Sequence, residues 1–175
     1  MSFYQKIAEV GTRFVPKHKL FRYGFNWSPM YRRSTGRVVS VTKDLLNIRI
    51  KVRLSYKNRN YVNSIFGGSM FSSVDPIPMV QLINLLGNEY VVWDKSAEVV
   101  FKRPARENLY ADFLFTEEEL AEIKQRIAQE QEIEIVKTTQ LTNENRSTVY
   151  CEVHKTMYVA NKSYYKEKRK NKTGK

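Results

Sequence analysis

The chain has 175 residues, one cysteine and a formal net charge of +12, from 30 basic and 18 acidic side chains. This length suits a single domain with its own hydrophobic core, and one cysteine excludes an internal disulfide framework. No stretch approaches the ~20 apolar residues that span a bilayer, and the first residues lack the apolar run of a signal peptide. We therefore expect a soluble cytoplasmic protein without a membrane span.

The positive charge is concentrated at the two ends of the chain. Residues 1–60 carry fourteen Lys or Arg against two acids, and residues 162–175 carry seven against one. The second of these segments has little to bury, which predicts a disordered basic tail over residues 162–175 after a single domain over residues 1–161. No recognition helix, zinc spacing or aromatic platform accompanies the charge, so we do not expect a nucleic-acid partner.

The first predicted elements are helical. Phe3, Ile7 and Val10 are spaced for one face of a helix, and apolar residues recur between residues 20 and 27. Together these patterns predict two short helices within about residues 1–35.

A hairpin follows the helices. Every second residue from Leu46 to Leu54 is apolar and the residues between are polar or basic, which is typical of a half-buried strand. Val39 and Val41 predict a preceding strand, with Asp44 at the turn. One face of this hairpin must pack against an apolar element.

The next segment supplies that element. Residues 69–86 are apolar nearly all round, as a helix enclosed by a sheet would be. Local rules make Asp75 an N-cap and Pro76 the first helical residue. Alternatively, the helix starts near Ser69 and bends at the prolines. In either case a carboxylate among apolar neighbours is costly to bury unless another group pairs with it or a reaction uses it.

The remaining strands are predicted from alternation with a period of two, over residues 97–102, 109–115, 132–141 and 147–159. In the last of these strands Lys155 breaks an otherwise apolar face. Between the strands, Thr116 and Glu119 form a capping box that opens a surface helix ending at about Gln129. This order of elements predicts an α+β domain with a largely antiparallel sheet around one helix.

The clearest chemical signal is the segment Asn63-Ser-Ile-Phe-Gly-Gly-Ser-Met-Phe-Ser-Ser-Val-Asp75-Pro. Gly67 and Gly68 lie at the start of the apolar helix, where unpaired amides and the helix dipole favour negative charge. An amide pair near a carboxylate is the minimum equipment for attack on an activated acyl group. The bland alternatives are a packing or turn role for the glycines, a structural cap for Asp75 and an ordinary turn at Asn63.

These elements and this motif together resemble the hotdog fold of acyl-CoA thioesterases, in which an antiparallel sheet wraps a long central helix. The phenylacetate-pathway type carries an Asn, a His-Gly-Gly and an Asp nine residues after the His. Here Asn63 precedes Phe66-Gly67-Gly68, and Asp75 lies nine residues after Phe66.

The chain also resembles a hotdog family of unknown function whose members are often described as thioesterases. The likeness covers roughly residues 20–160. It is carried by Asn58-Arg-Asn-Tyr-Val-Asn-Ser-Ile-Phe-Gly-Gly-Ser, Val-Asp-Pro, Val-Trp-Asp-Lys95 and Phe-Lys-Arg-Pro104.

The resemblance implies a helix that starts near Ser69 and carries Asp75 inside it, facing a partner subunit. It further implies a homodimer with active sites at the interface, or a tetramer of such dimers. Asp75 would act as general base or nucleophile while the Gly67 and Gly68 amides polarise the thioester carbonyl. Asn63 would orient the carbonyl or the attacking water.

The expected substrate is an acyl-CoA or acyl-carrier thioester, without a cofactor. Two histidines and one cysteine give no metal-site spacing. Candidate substrate contacts are side chains around the motif and guanidinium groups that suit the coenzyme A phosphates: Phe66, Ser69, Ser72, Arg59, Arg103 and Arg106. Exposed surface charge is the alternative for the arginines. Because Phe66 replaces the motif histidine, the alternative function is a non-catalytic acyl-CoA-binding or scaffold protein of hotdog fold.

Overall fold

The computed structural model describes residues 15–173. The helices are α1 Lys17–Trp27, α2 Pro29–Arg33, α3 Gly67–Val74, α4 Pro76–Leu86, α5 Glu117–Glu130 and α6 Lys162–Thr173. The strands are β1 Gly36–Val41, β2 Asn47–Val52, β3 Tyr90–Phe101, β4 Leu109–Leu114, β5 Glu132–Thr142 and β6 Val149–Asn161. The helix predicted around Phe3, Ile7 and Val10 lies outside the described residues.

The strands form one antiparallel sheet in the order β1-β2-β4-β5-β6-β3. Strand β3 pairs with β6 from Tyr90 opposite Asn161 to Phe101 opposite Cys151, with an irregularity between Asp94 and Ser96. Among the described strands, β3 lies at one edge of the sheet and pairs with β6. The predicted α+β architecture with a largely antiparallel sheet is confirmed.

The central helices α3 and α4 run through the hydrophobic core. Met70, Val74 and Ile77 belong to one cluster of buried residues, and Leu82 and Leu86 belong to a second. These five residues are almost fully buried. None of the helices within residues 15–173 combines the length and the apolar content that a membrane crossing requires.

Asp75 lies at the junction of α3 and α4. Helix α3 begins at Gly67, and Asp75 itself has helical backbone angles, φ −44° and ψ −53°. Local rules correctly place Asp75 at the N-cap position of α4, but its side chain caps no amide and a helical segment already precedes it. Pro76 and Pro78 lack the amides that would continue the hydrogen-bond ladder, which explains why the helix is interrupted here rather than started. The helix start implied by the resemblance is correct to within two residues.

Helix α6 occupies residues that the composition predicted to be disordered. The Nζ of Lys168 contacts Oε2 of Glu132 at 2.6 Å, and the ring of Tyr165 meets that of Trp93 with centroids 5.0 Å apart. The prediction of a disordered tail is therefore wrong for residues 162–173. The composition of this segment shows its excess positive charge. It does not show that Tyr165 contacts Trp93 on β3 or that Lys168 contacts Glu132 on β5.

Candidate functional site

The amino end of α3 presents the backbone amides of Gly67 and Gly68. Phe66 precedes them with an extended backbone, and its carbonyl accepts hydrogen bonds from the amides of Ser69 at 2.9 Å and Met70 at 3.2 Å. The side chain of Phe66, at the N-cap position, makes no capping hydrogen bond. Because the first amides of a helix have no acceptor in a preceding turn, those of Gly67 and Gly68 are free to bind a negatively charged oxygen.

Two exposed phenyl rings flank the glycine pair. A Cβ atom on Gly67 would lie 2.8 Å from Cζ of Phe101, and a Cβ atom on Gly68 would lie 2.8 Å from Cζ of Phe66. Phe66 is 58% exposed and Phe101 is 55% exposed. The glycines are therefore needed for close packing, and the two rings offer an apolar surface beside the free amides.

At the other end of α3, Asp75 is paired with a buried lysine. The Nζ atom of Lys155 lies 2.5 Å from Oδ1 of Asp75 and also donates to the main-chain oxygen of Asp75. The Lys155 side chain is 1% exposed, whereas that of Asp75 is 41% exposed. The carboxylate is thus neither buried without a partner nor free in solvent: an ammonium group holds it, and part of it remains accessible.

Asp94 of β3 completes this charged cluster. Its Oδ2 lies 2.9 Å from Nζ of Lys155, while its Oδ1 is buried without a hydrogen-bond partner in the described part of the chain. The pKa of Asp94 is raised: burial is the largest influence and raises it, the contact with Lys155 lowers it, and the charge of Asp75 raises it. Two carboxylates therefore compete for one ammonium group.

Strand alternation explains why Lys155 points inward. Lys155 shares the core-facing side of β6 with Val153 and Met157, and both of these residues are fully buried. The sequence shows Lys155 as a break in the apolar face of β6, but it does not give the partner of this lysine. The central helical segment holds one acid, Asp75, and Lys155 occupies a core-facing position. These two facts together were the sequence signal for an ion pair between them.

The spacing along α3 limits what one chain can do. Eight residues separate Gly67 from Asp75, which corresponds to about 12 Å along the helix axis at 1.5 Å per residue. The amides of Gly67 and Gly68 and the carboxylate of Asp75 in one chain are therefore too far apart to contact the same carbonyl group.

Asn63 and Arg59 lie in the loop before the helix. Asn63 has a left-handed backbone with φ of 61°, which asparagine tolerates well in turns, and its side chain is exposed. The backbone amide of Asn63 donates to the carbonyl of Asn60 at 3.0 Å. Arg59 is exposed and forms an isolated β-bridge with Ile65. These positions fit a structural turn that feeds the chain into the glycine pair.

The remaining predicted contacts lie on the central helix α3 and on the segment after β3. Ser69 is buried in the first turn of α3, whereas Ser72 is exposed on the same helix. Arg103 and Arg106 are exposed in the segment after β3, where the amide of Arg103 donates to the carbonyl of Tyr150 at 3.4 Å. The structure therefore places the glycines, Phe66 and Ser69 together. The segment that carries the two arginines is attached beside them, because the backbone amide of Ile65 donates to the carbonyl of Ala105 at 2.8 Å.

Other candidate nucleophiles and bases are engaged elsewhere. Burial raises the pKa of the Cys151 thiol to about 11, which keeps it protonated at neutral pH. Nδ1 of His154 lies 2.9 Å from the hydroxyl oxygen of Thr138, and the buried hydroxyl of Ser73 donates to the carbonyl of Met70. Within residues 15–173, no group of three or more His, Cys, Asp or Glu is arranged to hold a metal ion.

Solved structures share this architecture. The chain superimposes on PA5026 from Pseudomonas aeruginosa, described as a protein of unknown function and "Probable Thioesterase", with a TM-score of 0.72 and 18% identity, covering 82% of this chain and 95% of that one. For the thioesterase HI1161 from Haemophilus influenzae, the TM-score is 0.60 at 12% identity, with 82% and 90% covered. A protein of unknown function from Chlorobaculum tepidum gives 0.65 at 15% identity, with 82% and 94% covered. These likenesses show the hotdog fold.

None of the curated proteins compared with the chain matches it. A family model does match, over residues 17–159, and it is described as a domain of unknown function, DUF4442. This range contains the glycine pair, Asp75, Asp94 and Lys155, so the whole candidate site falls inside the matched region. The chain therefore belongs to the DUF4442 family, whose fold here is that of the hotdog thioesterases.

Proposed function

We propose that this protein hydrolyses a thioester of coenzyme A or of an acyl carrier, in a homodimer whose active sites combine residues of both subunits. The observation that carries the proposal is the placement of an uncapped glycine amide pair and an ion-paired, accessible carboxylate on one central helix. The fold supports it, since the thioesterase from Haemophilus influenzae has the same architecture.

A dimer is part of the proposal because of the distance along the helix. A two-fold axis that makes the central helices of two subunits antiparallel would bring the amides of Gly67 and Gly68 towards Asp75 of the partner subunit. The same axis would cover the open edge of β3, where unpaired backbone groups otherwise invite association. The geometry of one chain thus favours a site completed by a second copy.

The sequence of β3 suggests where such an axis would pass. Residues Lys95 to Glu98 are exposed at the edge of the sheet. An axis between Ser96 and Ala97 would place Lys95 opposite Glu98 of the partner subunit, which makes the exposed segment complementary to itself.

In the proposed reaction the carboxylate of Asp75 accepts a proton from a water molecule while the oxygen of that water bonds to the thioester carbon. The negative charge that develops on the carbonyl oxygen is stabilised by the amides of Gly67 and Gly68. The carbon–sulfur bond then breaks, the sulfur leaves with the bonding electrons, and the proton held by Asp75 passes to it. The products are a carboxylic acid and a thiol.

Lys155 and the phenyl rings have supporting roles in this scheme. Lys155 fixes the orientation of the Asp75 carboxylate, and the second carboxylate of Asp94 limits how strongly Lys155 can neutralise it. Phe66 and Phe101 would contact the acyl group beside the amides. Because Phe66 carries no proton to transfer, Asp75 handles the proton alone.

The test is hydrolysis of a panel of acyl-CoA thioesters of increasing chain length, followed by the release of free thiol. Asp75→Asn should lower kcat by about 100-fold or more, since general base catalysis contributes 10²–10⁴. Asp94→Asn is the comparison variant: it removes the other carboxylate from the same lysine but leaves the proposed base in place, so it should lower kcat much less than Asp75→Asn does. Unchanged turnover in Asp75→Asn, with the fold and the dimer retained, would refute the assignment.

Phe66 favours a second candidate, a non-catalytic acyl-CoA-binding or scaffold protein of the same fold. Its ring lies against Gly68, at the place where the thioesterase motif carries a histidine. Saturable binding of acyl-CoA without release of thiol, in the same panel, would identify this function.

A further inference from the structure

A cavity of about 320 Å³ opens between α2, β1 and the loop after β2, outside the candidate catalytic residues. It is lined by Pro29, Arg32, Arg33, Arg37 and Lys57. Its volume lies at the lower end of the ~300–1,000 Å³ typical of small-molecule sites. Four cationic side chains therefore converge on a space that suits a small ligand.

No described residue neutralises the charge of this cavity. Among the described residues that line it there is no acid, and within residues 15–173 none of its four cations forms an ion pair. Residues 15–60 contain twelve Lys or Arg and one acid, Asp44, which lies at the β1–β2 turn. Converging like charges repel one another, so the cavity is best stabilised by an anion.

Helix geometry explains part of this arrangement but not the whole. Arg32 and Arg33 occupy the last turn of α2, where the helix dipole favours positive charge. Arg37 lies on β1 and Lys57 lies in a loop, so no helix end accounts for their position. Three separate segments each bring a cation to one space.

The guanidinium group of Arg37 is held in place. Its Nη1 donates to the carbonyl of Asn26 at 2.8 Å, and the Asn26 side chain in turn exchanges two hydrogen bonds of 2.9 Å with the backbone of Val38. This chain of contacts fixes one donor at the cavity before any ligand arrives, which lowers the entropy cost of binding.

The walls of the cavity are anchored to the core. The buried hydroxyl of Tyr31 donates to the carbonyl of Ser73 at 3.0 Å, which ties α2 to the central helix. The amide group of Asn58, next to Lys57, donates to the hydroxyl of Thr35 at 2.8 Å. These two bonds hold the backbone segments that carry the exposed cations of the cavity.

An exposed aromatic ring lies beside Lys57, one of the cations that line the cavity. Tyr56 is 86% exposed, and the Nζ atom of Lys57 lies 5.8 Å from the centre of its ring. An exposed ring beside a cation offers a face on which a nucleobase can stack.

We propose that this cavity binds the phosphate groups of a small phosphorylated ligand. Guanidinium groups bind phosphate oxygens in pairs of charge-assisted hydrogen bonds. Arg32, Arg33 and Arg37 supply three guanidinium groups. The phosphates can belong to a nucleotide, such as the adenosine portion of coenzyme A, or to a lipid headgroup. Tyr56 favours the nucleotide. The site stands independently of thioester hydrolysis.

Calorimetric titration of the full chain tests the proposal with three probes: inorganic pyrophosphate, coenzyme A, and phosphatidylcholine vesicles containing phosphatidylglycerol. Arg32→Gln with Arg33→Gln removes two cavity cations from exposed positions. Lys19→Gln with Lys43→Gln is the matched control, since it removes two exposed cations outside the cavity and gives the same net charge.

We expect wild-type protein to bind coenzyme A more tightly than pyrophosphate, and the cavity variant to lose about tenfold or more for each charge-assisted contact removed. The control should bind like wild type. Vesicle binding that depends on the same two arginines, without coenzyme A binding, would uphold the phosphate site and assign it to lipid. Equal affinities in the two double variants, or no binding of any probe, would overturn the proposal.

A second readout separates this site from the proposed catalysis. Hydrolysis of an N-acetylcysteamine thioester, which carries no phosphate, should be unchanged in Arg32→Gln with Arg33→Gln. Phosphate binding without any hydrolysis would leave the cavity standing and reject the thioesterase. Hydrolysis combined with coenzyme A binding that is unchanged in Arg32→Gln with Arg33→Gln would support the thioesterase and reject the phosphate site.

Discussion

The ammonium group of Lys155 lies 2.5 Å from the carboxylate of Asp75, and it joins the central helix to strand β6. The same atom contacts Asp94 on β3, so one lysine links three elements. This contact occurs where the prolines after Asp75 interrupt the helical hydrogen bonds. The candidate catalytic carboxylate is therefore positioned by the sheet and not by the helix alone.

Lys155→Met should lower the free energy of unfolding by about 1–3 kcal/mol, because it leaves two partly buried carboxylates without a cation. Asp75→Asn should cost less, since Lys155 keeps Asp94 as a partner. Urea unfolding of both variants, followed by circular dichroism, measures the difference. Equal losses in the two variants would mean that the lysine is not the centre of the cluster.

The raised pKa of Asp94 predicts a pH dependence of stability. The folded protein holds a proton on this carboxyl more readily than the unfolded chain does, since its pKa is raised from 3.8. The resulting stabilisation is complete below the unfolded value and is lost as the pH rises through the folded value. Asp94→Asn cannot titrate there.

Urea unfolding at a series of pH values from about 4 to 8 checks this sign, because stability falls with pH wherever the folded state binds more protons. The free energy of unfolding of wild type minus that of Asp94→Asn should decrease with rising pH and then level off. A difference that increases over this range would show that the ion pair with Lys155 outweighs burial.

Tyr31→Phe should destabilise the protein by about 1–3 kcal/mol, because the carbonyl of Ser73 loses its buried hydroxyl donor. Tyr23→Phe is the matched control, since Tyr23 is 53% exposed and should change stability by less than about 0.5 kcal/mol. Thermal unfolding of both variants measures the comparison. A loss confined to Tyr31→Phe would establish that α2 is anchored through this bond.

Local signals were sufficient for most of the fold. Alternation predicted the paired strands, and Thr116 accepts from the amide of Glu119 at 3.1 Å as the capping box requires. The carboxylate of Glu119, however, contacts Lys137 at 2.9 Å, on a strand eighteen residues away. Sequence spacing predicts contacts within one element, but it does not give the partner across the sheet.

The candidate site was predicted in part for the same reason. Gly67 and Gly68 begin α3 and Asp75 follows its last residue, so their spacing along one stretch of sequence was enough to predict them. Lys155 lies eighty residues from Asp75 along the chain, and its role follows from the strand register alone. The cations of the basic cavity come from three separate segments, so no single stretch of sequence could predict it.

The proposed dimer predicts a charge-swap result at the edge of β3. Wild type should have the mass of two chains of 20.7 kDa by light scattering. Glu98→Lys should weaken the dimer, because an axis between Ser96 and Ala97 would then place Lys95 opposite a lysine, and like charges directly opposite are destabilising.

The double variant Lys95→Glu with Glu98→Lys should restore the dimer, because opposite charges again face each other across the axis. Lys95 also contacts Glu134 within its own chain, so Lys95→Glu alone controls for the loss of that exposed pair. Because this pair is exposed, it should contribute no more than about 1 kcal/mol to the folded monomer. If the dimer affinity of these variants follows their net charge and not the order of charges along β3, the two-fold axis lies elsewhere. The proposed approach of Gly67 to Asp75 of the partner subunit would then also be wrong.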